Sequence, residues 1–407
     1  MFKSPLHWSR TKLFPWLLVF VVGAIYMWHF DNQNNDFQVF YEAGLAFRDG
    51  VNPWGGQPNP NAMYLNGSST LLFFSILSFF PLEWAIFSMR ALSLVTVVFA
   101  IIYARNTVHK IPQPQLIIFL FLSFPVRSAL EYGQLTIIFS VIAFCILMHV
   151  KNHLPDNFLI IVSIALILDF KPHIFIGVVT FLILMRRLAL LAKSFLVWLI
   201  FQIIVGLYCQ IFPFIELLKA IAYRSETVAE GEDSFSIVSF FHFNSNWSTI
   251  IAVTSVSLFA IYSFKIKSNP ASKVLSLVSL SLLITPLLHP TDLMLLLLVF
   301  IYRAELTRFG FLILGMFFVW SPQLTGAGFT LFVVLASFCV SIFFGYRFST
   351  REIALLFLPN FVYLGLVKIG ADEVVIRHSI HLFIPIMIGV YFSFRSSKID
   401  LEVEKSG

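Results

Sequence analysis

The chain has 407 residues, 58% of them hydrophobic and only 12% charged, with a formal charge of +6 and a mean hydropathy of +0.88. Such a composition excludes an ordinary soluble domain and marks a polytopic membrane protein. The basic surplus sits in short clusters between apolar runs, the positive-inside pattern, and so does not point to a nucleic-acid partner.

In chain order, the run 13–30 follows Lys3, Arg10 and Lys12. No small-residue cleavage site comes after it and further spans do, so it reads as an uncleaved first helix. A loop over 31–66 separates it from runs centred on 69–82, 85–104, 114–128, 133–150, 157–170, 172–185 and 195–212. A second long loop, 213–246, precedes the runs at 247–264, 273–288, 290–302, 309–321, 327–345, 352–367 and 378–394. A span needs about 20 apolar residues and several runs are shorter, so the expectation is an all-α polytopic bundle of about 12–15 spans in a single membrane domain, 1–407. No fixed-period repeat is apparent.

Charge sets the expected orientation. The N-terminal arm, Arg186–Arg187 with Lys193, the Lys265/Lys267/Lys273 group, Arg303/Arg308, Arg347/Arg351 and Arg395/Lys398 belong on the cytoplasmic side. The loops 31–66 and 213–246 then lie outside, and each carries three more carboxylates than cations. One conflict remains, because Arg105 and Lys110 stay inside only if 69–104 crosses an odd number of times. Either 69–82 is re-entrant or the loop that follows breaks the rule.

Cys145, Cys209 and Cys339 lie far apart in apolar runs without paired spacing, as packing thiols do. Asp31 and Asp36 are separated by amides rather than in an Asp-x-Asp pair, so no metal site and no cofactor is expected. Ionisable and polar residues near a bilayer are costly and are weighed singly. On the expected orientation Asp31, Asp36, Glu131-Tyr132-Gly133-Gln134, Asp169-Phe170-Lys171-Pro172 and His289-Pro290-Thr291-Asp292 all gather on the outer face. Phe37, Phe40, Tyr41, Gly44, Leu45 and Phe47 recur at helical spacing and predict a short amphipathic helix along the interface. Asp36 falls near its N-terminus, where a helix cap and a catalytic carboxylate are equally compatible with the spacing.

The stretch DFQVFYEAGLAFRDGVNPW, Asp36 to Trp54, resembles the opening signature of glycosyltransferase family 87, of the GT-C class of polyprenyl-phosphate-sugar-dependent enzymes. The likeness rests on Asp36, Phe37, Phe40 or Tyr41, Ala43, Gly50, Pro53 and Trp54. It continues through Gly133-Gln134, through Lys171-Pro172 with Arg186-Arg187, and loosely through Thr285, Pro286 and Asp292 with His289 displaced. These blocks run in order over about three quarters of the chain. The chain departs from the family at Tyr64-Leu65-Asn66-Gly67, where a Tyr-Pro-Pro is usual, which bears on how the first loop is braced.

The resemblance implies a GT-C-like fold and an inverting transfer of a hexose, with mannose the sugar it suggests. The donor would be a polyprenyl-phosphate-sugar and the acceptor a glycolipid or glycan outside the cytoplasm. It implies Asp36 as general base. Lys171 at the membrane boundary suits the lipid phosphate, against snorkelling or pairing with Asp169. Gln134, for which an interhelical hydrogen bond is the competing and simpler account, joins Tyr41 and Tyr64 as candidate donor-binding residues. Glu131, His289 and Asp292 are candidates for the acceptor side of the cavity, with a proline-broken helix end the competing account of the last two. The location expected is a bacterial inner membrane with the site facing outward. A transporter or flippase of lipid-linked sugars is the alternative, but it calls for inverted repeats and mid-membrane charges. A polymerase or ligase calls for an Arg-rich external loop, whereas 213–246 is acidic.

Overall fold

The computed structural model describes residues 35–55, 64–108, 123–170, 172–227, 290–303, 308–317 and 349–372, with a few further positions. The expected runs at 13–30, 114–128, 247–264, 273–288, 327–345 and 378–394 lie wholly or mostly outside the described residues. All the regular structure described is helical. The helices are α1 (Asn35–Arg48), α2 (Ser68–Leu77), α3 (Leu82–Val108), α4 (Phe124–Glu131), α5 (Thr136–Lys151), α6 (Phe158–Leu168), α7 (Pro172–Leu184), α8 (Leu188–Cys209), α9 (Pro213–Thr227), α10 (Met294–Arg303), α11 (Arg308–Met316) and α12 (Thr350–Lys368). A 3-10 turn, Pro290–Leu293, leads into α10.

Two helices form the axis of the bundle. In α5 buried side chains occur on every side, from Ile137 and Phe139 to Ile146 and Val150, and the turn of α10 from Met294 to Phe300 is buried residue by residue. A helix apolar all round is one enclosed by others, and α3, α6, α7 and α10 pack on α5. Around this core, three described helices are long and apolar enough to cross a membrane: Leu82–Ala100 within α3, α8 and α12. Their outward residues, among them Val95 and Phe99 on α3, Leu196, Ile203 and Leu207 on α8, and Phe361 on α12, are exposed and apolar. Surface of this kind is stable against lipid and not against water. The chain is an integral membrane protein.

Helix α8 starts at Leu188, earlier than the run at 195–212 implied, because the exposed Lys193 is carried on its surface without breaking it. It stops at Gln210, which adopts a left-handed φ of 55°. The segment expected as a loop from 213 begins with a helix, α9.

Helix α2 is too short to cross a membrane by itself. Its 10 residues rise about 15 Å, half the hydrocarbon thickness, and only Ser78–Pro81 separate it from α3. Of the helices described between 64 and 108, only α3 contains a stretch long and apolar enough to cross a membrane.

What holds so short a helix is a carboxylate. Asp169, the C-cap of α6, is 4% exposed and accepts from the Ser69 backbone N–H in the first turn of α2. Its Oδ1 accepts from Trp198 Nε1 at 3.1 Å and Gln202 Nε2 at 2.8 Å, both on α8. Its backbone carbonyl accepts from the Gly67 N–H at 3.1 Å. A side chain at Gly67 would collide with the Asp169 carboxyl, so this approach requires glycine. The far end of α2 carries the opposite charge: Arg48 Nη1 donates to the Ser78 carbonyl at 2.9 Å. An anion at the N-terminus and a cation at the C-terminus both match the helix dipole.

The first loop closes on the same helix. Trp54 Nε1 donates to the Asn66 carbonyl at 3.0 Å, and its ring packs on Tyr64. Helix α1 lies along α2, with Phe37 edge-on to Phe74 at 5.9 Å and Phe40 stacked on it at 5.0 Å.

Removing the acid should detach α2. Asp169→Ala leaves one buried and two part-buried donors without an acceptor, at about 1–3 kcal/mol for a buried one and less for the others. A loss of ~3 kcal/mol in unfolding from detergent is expected. Asp169→Asn, which keeps one acceptor oxygen, should fall between that variant and wild type.

Candidate active site

The site is built where the first turn of α1 meets the turn between α4 and α5. Helix α1 starts at Asn35, so Asp36 stands inside the first turn rather than before it. Its carboxylate faces across the chain: Gln134 Nε2 donates to Asp36 Oδ2 at 2.5 Å. Gln134 Oε1 accepts from Thr291 Oγ1 at 2.7 Å and Thr136 Oγ1 at 3.2 Å. A carboxylate only accepts, and the two hydroxyls can donate to the amide oxygen, so the network fixes the amide with its NH2 toward Asp36. Gln134 thus serves as the interhelical bridge, joining α1, α5 and the turn that starts α10. Asp36 stays partly exposed, and among the described residues no second hydrogen bond occupies its carboxylate.

The turn that presents Gln134 is held from three sides. Gly133 has a φ of 61°, and a Cβ there would sit 3.0 Å from Phe37 Cβ, so the left-handed turn presses on the residue next to Asp36. Gln134 N–H donates to the Ala129 carbonyl at 2.9 Å. Arg90, buried in α3, donates from Nε to the Leu130 carbonyl at 3.0 Å and from Nη2 to the Glu131 carbonyl at 3.2 Å. A guanidinium is suited to this, since it presents paired donors to adjacent carbonyls at a helix C-terminus.

Glu131 lies on this turn, with its Oε2 buried and without a hydrogen-bond partner. Burial raises its carboxyl to about 7, and the Arg127 and Arg90 charges only partly offset that. Arg127 is itself buried, over the Phe124 ring at 5.8 Å.

Of the other expected site residues, Asp292 is fully buried beside Thr291 at the start of α10. Tyr41 donates from its hydroxyl to the Phe80 carbonyl at 2.8 Å. Tyr64 is fully buried, and its hydroxyl donates to the Gly67 carbonyl at 3.1 Å and meets Thr70 Oγ1 at 2.5 Å. It therefore packs within the brace of α2, against Phe40 of α1. Burial pushes its phenol well above the ordinary range. Lys171 and His289 lie outside the described residues. Asp169 serves α2, as described above. No group of three or more His, Cys, Asp or Glu able to share a metal ion is found among the described residues.

Arg90 and Arg127 belong to the arrangement and were not singled out from sequence, while Thr291 was named only within the His289–Asp292 group. Arg90 carried a signal, as a single charge within an apolar run. Arg127 precedes Glu131 by four residues, a helical pairing distance.

The sequence model of Glycosyltransferase family 87 matches residues 64–286, more than half of the chain. The protein belongs to this family, and it is a membrane glycosyltransferase. The matched span contains Arg90, Glu131 and Gln134, while Asp36 precedes it and Asp292 follows it. No curated protein matches the chain. Among solved structures, the crystal structure of ArnT from Cupriavidus metallidurans in the apo state is similar, with 12% identity over 93% of this chain and 76% of that chain, at a TM-score of 0.37.

The proton on Glu131 has a consequence for stability. The folded state holds it more tightly than the unfolded chain, in which the carboxyl has its ordinary value of 4.5. Stability is then greatest below that value and falls as pH rises toward 7. The melting temperature of wild type should drop between pH 5 and 7, and in Glu131→Gln this part of the dependence should be absent.

Proposed function

We propose that the protein transfers a hexose, mannose being the sugar its motifs suggest, from a polyprenyl-phosphate donor to a glycolipid or glycan acceptor, with Asp36 as general base. The observation that carries the reading is the carboxylate itself: partly exposed, fixed by one neutral donor, and set in the first turn of a helix against Gln134. The acceptor hydroxyl gives its proton to Asp36 as its oxygen forms a bond to the anomeric carbon. The bond from that carbon to the phosphate oxygen breaks, the electron pair leaves with the polyprenyl phosphate, and the configuration inverts. Gln134 orients the base, and Lys171 stabilises the departing phosphate. His289, Asp292 and Glu131 border the acceptor.

The site lies at the start of α5. The other end of that helix leads to Leu154, whose carbonyl accepts from Arg187 Nη2 at 2.9 Å, with Asp156 3.2 Å from the same nitrogen. The basic Arg186–Arg187 cluster is thus at the end away from Asp36. The positive-inside rule then supports a site that faces out of the cytoplasm, in a bacterial inner membrane, with 31–66 and the loop from 213 on the same side.

The test is transfer by purified protein in lipid nanodiscs, supplied with radiolabelled polyprenyl-phosphate mannose or glucose and a glycolipid extract. Wild type should move label into glycolipid. Asp36→Asn should be slower by about 10²–10⁴-fold, the usual worth of a general base. Activity retained within about threefold would remove Asp36 from that role. Gln134→Ala removes the hydrogen bonds from Thr291 and Thr136 as well as the one to Asp36; loss of the last, worth about 1.4 kcal/mol, should cost about tenfold in kcat.

A further inference from the structure

Helix α9 has two faces. Ala220 and Leu217 turn toward Val205 and Cys209 of α8 and the residues of the first loop. Phe214, Ile215 and Leu218 turn away and are about half exposed, Leu218 at 50%. About half of each side chain is left uncovered. Their neighbour is α8, whose outward face runs through Leu196, Ile200 and Ile203 to Leu207, which is 77% exposed. The connection between the two helices adds Phe212, 76% exposed. The apolar surface is therefore continuous from a membrane-crossing helix onto α9.

Depth follows from one ring contact. Phe214 packs edge-on against Trp198 at 5.7 Å, and Trp198 lies in the middle of α8 rather than at its end. The start of helix α9 thus stands beside the middle of a helix long and apolar enough to cross a membrane. Lys219 Nζ pairs with Glu216 Oε1 at 2.8 Å, and Tyr223 is exposed; both are residue types that carry a long apolar stem or ring and a polar tip. Glu216 Oε2 accepts from Asn52 Nδ2 at 3.0 Å, in the first loop just beyond α1. Tyr208, at the end of α8, donates to the Arg48 carbonyl at 2.9 Å.

We propose that α9 is an amphipathic membrane helix whose Phe214, Ile215 and Leu218 lie against lipid acyl chains, and that through Glu216 and Asn52 it tethers the loop following α1 to the bilayer. The base-bearing helix is then held at a fixed depth by lipid contact as well as by α2. The inference does not depend on the donor or the base assigned above, and its test contains no activity measurement.

Wild-type protein in nanodiscs is labelled in parallel with a lipid-partitioning diazirine and with hydroxyl radicals in the aqueous phase, and modification is read by peptide mass spectrometry. Diazirine insertion at Phe214, Ile215 and Leu218 is expected within about twofold of that at Leu207, the internal standard, with hydroxyl-radical labelling several-fold below that of Tyr223. Dominant aqueous labelling would overturn the proposal, and so would protection from both reagents, which would mean that a protein partner or a second copy covers the face. The tether is read separately in Asn52→Ala by hydrogen exchange. The Val51 to Gly55 amides should exchange several-fold faster while diazirine labelling of Leu218 stays unchanged. Unaltered exchange would reject the tether.

Discussion

The bond between Asp169 and the first turn of α2 carries the rest of this end of the molecule. A buried carboxylate is tolerated only where its oxygens are filled by donors, and this one takes them from α2 and from two residues of α8. It thereby joins three segments far apart in sequence. The apolar contribution comes from the neighbouring Phe170, whose ring stacks on Phe139 of α5 with centroids 3.9 Å apart. The tip between α6 and α7 is thus fixed to the bundle axis on one side and to a half-length helix on the other. Since α1 rests on α2 through Phe37 and Phe40, the position of Asp36 is set at one remove by Asp169.

Around Asp36 the backbone does as much as the side chains. The α4 to α5 turn needs its carbonyls satisfied away from water, and Arg90 reaches from α3 to do so. The same turn needs a residue that accepts positive φ, and Gly133 also leaves room for Phe37. These two requirements place Gln134 between a carboxylate and two hydroxyls. Because its oxygen takes both hydroxyls, only its NH2 is left for Asp36, and the polarity of the contact follows from the chain trace.

Much of this was legible in the sequence. The helical class, the amphipathic α1 and the gathering of Asp36 with Gln134 came from hydropathy, helical spacing and the ordered motifs. The length of α2 did not, because hydropathy reads Phe79 and Phe80 as a continuation of the run, while the chain turns there with Arg48 on the Ser78 carbonyl. The role of Asp169 was hidden for a different reason. Its nearest cation in sequence is Lys171, and local spacing cannot show that Ser69, Trp198 and Gln202 reach it from 100, 29 and 33 residues away. Tyr64 illustrates the same limit, since an aromatic in an external loop looks available until Trp54, Gly67 and Thr70 close over it. The departure from the Tyr-Pro-Pro pattern at Leu65 and Asn66 also finds its physical account here: Gly67 admits the Asp169 carboxyl, so that the brace comes from hydrogen bonds and not from proline stiffness.

Two aspartates at the same end of the bundle illustrate how surroundings divide labour between identical side chains. Asp169 has both oxygens occupied and is 4% exposed. Asp36 is partly exposed and among the described residues receives one neutral donor, which orients the carboxylate without filling it. A general base must offer a free oxygen to an incoming hydroxyl at hydrogen-bonding distance. On that geometric criterion Asp36 can serve and Asp169 cannot, whatever their resemblance in sequence as acids at the edge of apolar runs. The number and direction of donors around each carboxylate, rather than its residue type, separate the proposed base from the anchor that holds it in place.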